Sequence, residues 1–199
     1  MRTGSLTRLF AHAAIAAVVL TGTQGNGAAQ SHDHHVSSIQ KTGPQDAALV
    51  KAVREATEKY RNVSDAMAAG YGLLFGCVSG GDYGAMGLHF VKGDLVGDGE
   101  VDAANPEIIL YEPLPNGRAR ITGADYLVLA ADWDAKHSSP PQLMGQLFHY
   151  FDSPNRFGLP PFYTLHVWAW KDNPDGTFTN WNRKVSCDAF NPDNPPSGR

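Results

Sequence analysis

Cysteine is scarce in this chain and positive charge is outnumbered: 199 residues include only two cysteines, and 16 lysines and arginines stand against 20 acidic residues, for a formal net charge of −4. Two cysteines without a C-x-x-C spacing do not build a cysteine-based metal site. The acidic balance argues against nucleic acid or an anionic membrane as partner, since both select for clustered positive charge. Long apolar runs are missing as well. The longest, Leu9 to Leu20, is interrupted by His12 and falls short of the roughly 20 residues a membrane-spanning helix needs. Gly80, Gly81 and Gly84 fit neither G-x-x-x-x-G-K-S/T nor G-x-G-x-x-G, so no nucleotide cofactor is expected. The absence of a G-x-S-x-G elbow disfavours serine hydrolase chemistry, and there is no H-E-x-x-H zinc helix.

What is present falls into four stretches. Residues 1–29 have the build of a secretory signal: Arg2 and Arg8, the apolar run, then Gly27-Ala28-Ala29. Their removal leaves 14 basic against 20 acidic residues, a net charge of −6. Residues 30–43 read as a disordered histidine-containing arm. If cleavage follows Ala29, the new terminus Gln30-Ser31-His32 can offer its amine and third-position imidazole to copper in square-planar geometry, although the tract reads equally as a solubilising tail. Residues 44–190 suit a single domain, and 191–199 read as a disordered tail. In an exported chain, Cys77 and Cys187 are most simply read as one disulfide.

From Pro44, apolar residues at 49, 53, 56, 60, 63 and 67 recur every three or four positions, which predicts an amphipathic helix broken near Asn62 to Ser64, with Ser64 capping a second short helix. After Gly70 the character turns to β. Alternation in Met86 to Val91 puts Met86, Leu88 and Phe90 on one side and Gly87, His89 and Val91 on the other. Pro106 to Glu112 and Arg118 to Ala130 read as strands joined by a turn at Asn116-Gly117. On the second of these, Ala119, Ile121, Gly123, Asp125, Leu127 and Leu129 share a face, so an aspartate falls among apolar residues and needs a partner. Asp94, Asp98, Glu100 and Asp102 do not follow the EF-hand order and read as a solvated turn. Pro140 to Phe151 has the spacing of a short helix, with His149 at its edge. Tyr163 to Trp170 is the densest aromatic segment: Thr164, His166, Trp168 and Trp170 share one side, with Leu165, Val167 and Ala169 opposite. Phe178 to Trp181 reads as a possible antiparallel return strand. The fold class is α+β: an N-terminal amphipathic helix packed on a mostly antiparallel, curved sheet of five or six strands, closed by one disulfide.

The ordered motifs Met86-Gly87-Leu88-His89-Phe90-Val91, Pro106-Glu107-Ile108-Ile109-Leu110-Tyr111-Glu112-Pro113 and Leu165-His166-Val167-Trp168, with Cys77 and Cys187, resemble an uncharacterised family of exported bacterial proteins. The resemblance covers most of the chain beyond the signal and supports the domain limits and the disulfide. It implies no activity. Asp125 stands where that pattern leads one to expect glutamate before the tyrosine, which keeps the carboxylate and shortens its reach.

The chemistry-bearing residues are therefore His89, His166 and Asp125, each placed by alternation inside a strand. Two imidazoles and a carboxylate suit zinc, copper or iron with a position left for water or substrate, and His149 is the candidate fourth ligand. An alternative keeps His166 and Asp125 as a metal-free acid/base pair in a small-molecule enzyme of the lyase, isomerase or hydrolase type, with Trp168 and Trp170 as the pocket wall. A further alternative makes the aromatic cluster a secreted module that binds a hydrophobic ligand or a partner protein. The metal reading requires His89 and His166 to face the same side of the sheet; if they point to opposite faces, that site does not exist and the His166 strand is core.

Overall fold

The computed structural model describes residues 43–197. The signal at 1–29, the histidine arm up to residue 42 and the Gln30-Ser31-His32 terminus lie outside the described residues. Helix α1, Pro44–Thr57, starts where the Asp46 carboxylate accepts from the Gly43 amide at 2.7 Å. Its Leu49 and Val53 are fully buried, as the periodicity predicts. A 3₁₀ turn, Glu58–Tyr60, leads to α2, Val63–Ala68. The cap of α2 is Asn62, not Ser64: Asn62 Oδ1 accepts from the Ser64 amide at 3.3 Å, and Ser64 is already inside the first turn.

Then follow β1 (Gly72–Ser79), β2 (Ala85–Val91), the single turn α3 (Gly93–Val96), β3 (Ile108–Pro113), β4 (Ala119–Leu129), α4 (Ala130–Asp134), β5 (Gln142–Leu143), β6 (Gln146–Leu147), β7 (His149–Phe151) and β8 (Phe162–Val167). Six strands form one antiparallel sheet in the order β1-β2-β3-β4-β8-β7, while β5 and β6 pair only with each other. One side of the sheet is covered by α1 and α2. Leu49 and Val53 pack on Ala124, Tyr126, Leu165 and Val167, and Tyr60, Val63 and Ala66 pack on Leu88, Phe90, Tyr111 and Ile121. The Cys77–Cys187 disulfide bridges 110 positions and ties β1 to the C-terminal segment. No helix among the described residues is long and apolar enough to cross a membrane.

Several sequence expectations give way here. Residues 140–151 form a hairpin and an edge strand instead of a helix. Met144 and Gly145 both take positive φ (49° and 89°), which closes a tight turn, and His149–Phe151 then pairs with β8. The supposed apolar stripe is split accordingly: Leu143 and Phe148 are buried while Met144 and Leu147 are exposed. Phe178–Trp181 is not a strand; its neighbourhood contributes only an isolated bridge between Ala85 and Asn182. Residues 191–197 follow a turned path, with the Asn194 amide donating to Asn191 O at 3.2 Å.

Strict alternation also breaks at two bulges. Gly87 has φ +91°, and the β1–β2 register shifts beside it, so Met86 joins His89 on one side instead of Leu88 and Phe90 on the other. Between Leu110 and Tyr111 the β3–β4 register skips Thr122, which places Ile121 on the helix side and Asp125 on the opposite one. Bulges of this kind bend a strand and sharpen its twist.

Candidate metal centre

Asp125 on β4 and His166 on β8 are direct cross-strand partners, so their side chains leave the sheet on the same side. His89 lies on β2, three strand positions from β8 in the sheet order. On a flat sheet that separation is about 14 Å. The His89 and His166 rings nevertheless stand 5.9 Å apart, centroid to centroid. The sheet is curled toward the side opposite α1, and the three residues meet on its concave face. One nitrogen from each histidine and one carboxylate oxygen all lie within 4.8 Å of one another, and the three residues are 2–3 % exposed.

Orientation is set by neighbours. His89 Nδ1 stands 3.1 Å from Gly87 O. A carbonyl only accepts, so Nδ1 carries the proton and donates, leaving the lone pair of Nε2 available. The bulge that turns Met86 thus also supplies the carbonyl that fixes the His89 tautomer. Asp125 Oδ1 accepts from Thr164 Oγ1 at 2.5 Å. His166 differs: neither of its ring nitrogens has a hydrogen-bond partner although both are buried. Its Nδ1 approaches Asp125 Oδ1 to 3.3 Å, within ion-pair distance but without hydrogen-bond alignment. Burial keeps the imidazole uncharged, so this is a contact between a neutral ring and a carboxylate, not an ion pair. The spacing is also the one metal ligands adopt: two donors each about 2.1 Å from one tetrahedral ion stand about 3.4 Å apart.

Burial sets the protonation. It lowers His166 to about 3, with the charge of His149 acting in the same direction. It lowers His89 to about 4, with His166 second. It raises Asp125 to about 6, against the opposing pull of His89 and the Thr164 hydrogen bond. Both imidazoles are therefore neutral near pH 7, the state in which they bind metal, and Asp125 is ionised.

The pocket around the group is apolar. Phe75, Phe151, Phe157 and Phe162 line it with Met86, Ile108, Leu127 and Leu159, and its free volume is about 20 Å³. That is room for one water-sized molecule. Phe75 holds φ +65° and its ring lies 5.3 Å from that of Phe157, which comes from the loop between β7 and β8. Asn155 shapes this loop by accepting from the Phe157 amide and donating to Leu159 O.

The structure thus brings together His89, His166 and Asp125 and leaves out the other residues singled out in the sequence. His149 is exposed on the edge strand β7, with Nδ1 3.3 Å from Asn180 Oδ1. Trp168 and Trp170 do not line the pocket. Strand β8 ends at Val167, where the Trp168 amide bonds to Thr177 O and the Trp170 amide to Thr122 O, so alternation stops. Trp168 then packs with Ala85 and Val185, while Trp170 joins the helix-side core. The wall is phenylalanine instead, and Phe75 and Phe157, which sequence reading missed, come from a bulged strand and a loop, where no periodicity marks them. Also missed is Glu107, a buried carboxyl accepting from the Leu127 amide at 3.1 Å and raised by burial to about 8. The acidic loop is a solvated turn, with Asp98 and Asp102 accepting from backbone amides two residues on and Lys136 pairing with Glu100.

Compared with family models, with curated proteins and with solved structures, the chain finds no match.

Proposed function

We propose that this is an exported metal-binding protein in which His89, His166 and Asp125 hold one divalent transition-metal ion, with a fourth position open to water in the phenylalanine-lined pocket. The observation that carries the reading is the convergence of three buried donors from β2, β4 and β8, one of them an imidazole with both nitrogens unpartnered. A buried polar group left unsatisfied costs about 1–3 kcal/mol, and a bound ion recovers part of that at His166. Two nitrogens and one oxygen suit zinc, copper and iron alike, and three protein ligands with one open position is the arrangement of reactive rather than purely structural sites. The metal-free acid/base reading has less support, since it uses only His166 and Asp125 and gives no role to His89, the third donor that converges on them. Export is supported by a disulfide closing 110 positions, which persists in oxidising compartments.

The test is metal analysis of tag-free protein after dialysis. About one equivalent of zinc, copper or iron per chain is expected, falling to background in His166→Ala and His89→Ala and unchanged in His149→Ala. Equal metal in His149→Ala and His166→Ala preparations, or none in the wild type after incubation with each ion, would overturn the assignment.

A further inference from the structure

A second cleft lies on the helix side of the sheet, remote from the metal pocket, between the start of α2 and the β3–β4 hairpin. Its volume is about 520 Å³, within the range of small-molecule sites. Val63, Ile121 and Trp170 give it an apolar floor, and Arg61, Arg118 and Arg120 stand at its rim. Three arginines on one cleft are unexpected in a chain whose net charge is −4.

Their charge is only partly cancelled locally. Among the described residues no carboxylate lies within 4.0 Å of Arg118. Arg120 shares the Glu112 carboxylate with Lys171, at 2.5 and 2.7 Å, so two cations meet one anion. Arg61 reaches Glu58 at 3.5 Å, an exposed pair along one helical turn of the kind that holds only weakly. Trp170 is fixed in place: its indole N–H donates to Thr57 Oγ1 at 2.9 Å, and the Arg61 and Arg54 guanidinium groups sit 4.5 and 5.9 Å from its ring centroid. The apolar floor is preformed and the cationic rim has donors to spare. Arginine forks match carboxylate, phosphate and sulfonate oxygens in pairs, which makes such a rim selective for planar or tetrahedral anionic groups.

We propose that this cleft binds a small organic anion, its acidic group held by Arg118, Arg120 and Arg61 and its apolar body resting on Ile121, Val63 and Trp170. The site is independent of the metal reading, because it shares no residue with the metal pocket and opens on the other side of the sheet.

Naphthalene-2-sulfonate and sodium sulfate, titrated separately at fixed ionic strength into nitrogen-15-labelled protein, test it through the Trp170 indole resonance, assigned by Trp170→Phe. The expected result is a saturable one-to-one shift of Trp170 with naphthalene-2-sulfonate, while Trp133, which donates instead to Ser139 O, does not move. Sulfate should bind at least about tenfold more weakly, lacking the apolar part. Arg118→Glu should weaken naphthalene-2-sulfonate by about tenfold without changing the melting temperature, since Arg118 is exposed at the hairpin. Arg61→Gln should weaken it in the same direction. A shift that stays linear, unchanged affinity in both arginine variants, or sulfate binding as tightly as the aryl sulfonate would overturn the proposal.

Discussion

Asp125 is a carboxylate among phenylalanines, and its behaviour depends on what shares its charge. Thr164 donates to it at 2.5 Å and His166 lies 3.3 Å away. Replacing Thr164 with valine keeps the shape and removes the donor that orients the oxygen. Loss of such an outer hydrogen bond costs about 10–100-fold in metal affinity, to be read by competition against a chelator, with the fold intact by circular dichroism. Protons compete for the same oxygen. Burial raises Asp125 to about 6 and lowers His89 and His166 to about 4 and 3. Metal binding requires Asp125 ionised, so affinity should be flat above pH 6 and fall about tenfold per unit below it, steepening once His89 takes a proton near pH 4. The same titration on Asp125→Asn should lose the break near pH 6. A break near the ordinary histidine value in both proteins would place the controlling proton on an imidazole instead.

At the scale of elements, the site exists because the sheet curls, and the curl depends on bulges and close backbone approaches. A Cβ on Gly123 would come within 2.1 Å of Val167 O, where β4 meets the end of β8. Gly123→Ala must push these strands apart beside the Asp125–His166 pair, and we expect a loss of about 2–3 kcal/mol, measured by urea unfolding, with weakened metal binding in the fraction that folds. Much of this layer was legible in the sequence. Period-two alternation put His166 and Thr164 on one face of β8 and an aspartate on the apolar face of β4, and helical spacing marked Leu49 and Val53 as core. Alternation failed where a bulge inserts a residue: Met86 changed sides at Gly87, and Ile121 parted from Asp125 at Thr122. It failed again at Trp168 and Trp170, because a period has no meaning after Val167 leaves the ladder. Residues 140–151 misled for a different reason: Leu143, Leu147 and Phe151 fit a helical stripe, but pairing of His149–Phe151 along the open edge of β8 outweighed it. That rearrangement also carried His149 out to solvent.

For the whole molecule, the Cys77–Cys187 bond joins the first sheet strand to the segment that follows the last one. Closing a loop across 110 positions restricts the unfolded chain by about 4–5 kcal/mol in the chain-entropy model. The double variant Cys77→Ser/Cys187→Ser should lose a stability of that order in urea at pH 7. A loss under 1 kcal/mol would mean that the core of the curled sheet holds the C-terminal segment without the bond. The disulfide and the candidate metal site are separate features of the molecule: the bond ties β1 to the C-terminal segment, while His89, Asp125 and His166 meet on the concave face of the sheet. The most direct test of that site is X-ray absorption on the metal-loaded chain with zinc, copper or iron, whichever copurifies. Two imidazole nitrogens and one carboxylate oxygen are expected in the coordination sphere, with one imidazole lost in His166→Ala. Sulfur ligation, or a sphere unchanged in His166→Ala, would contradict the assignment.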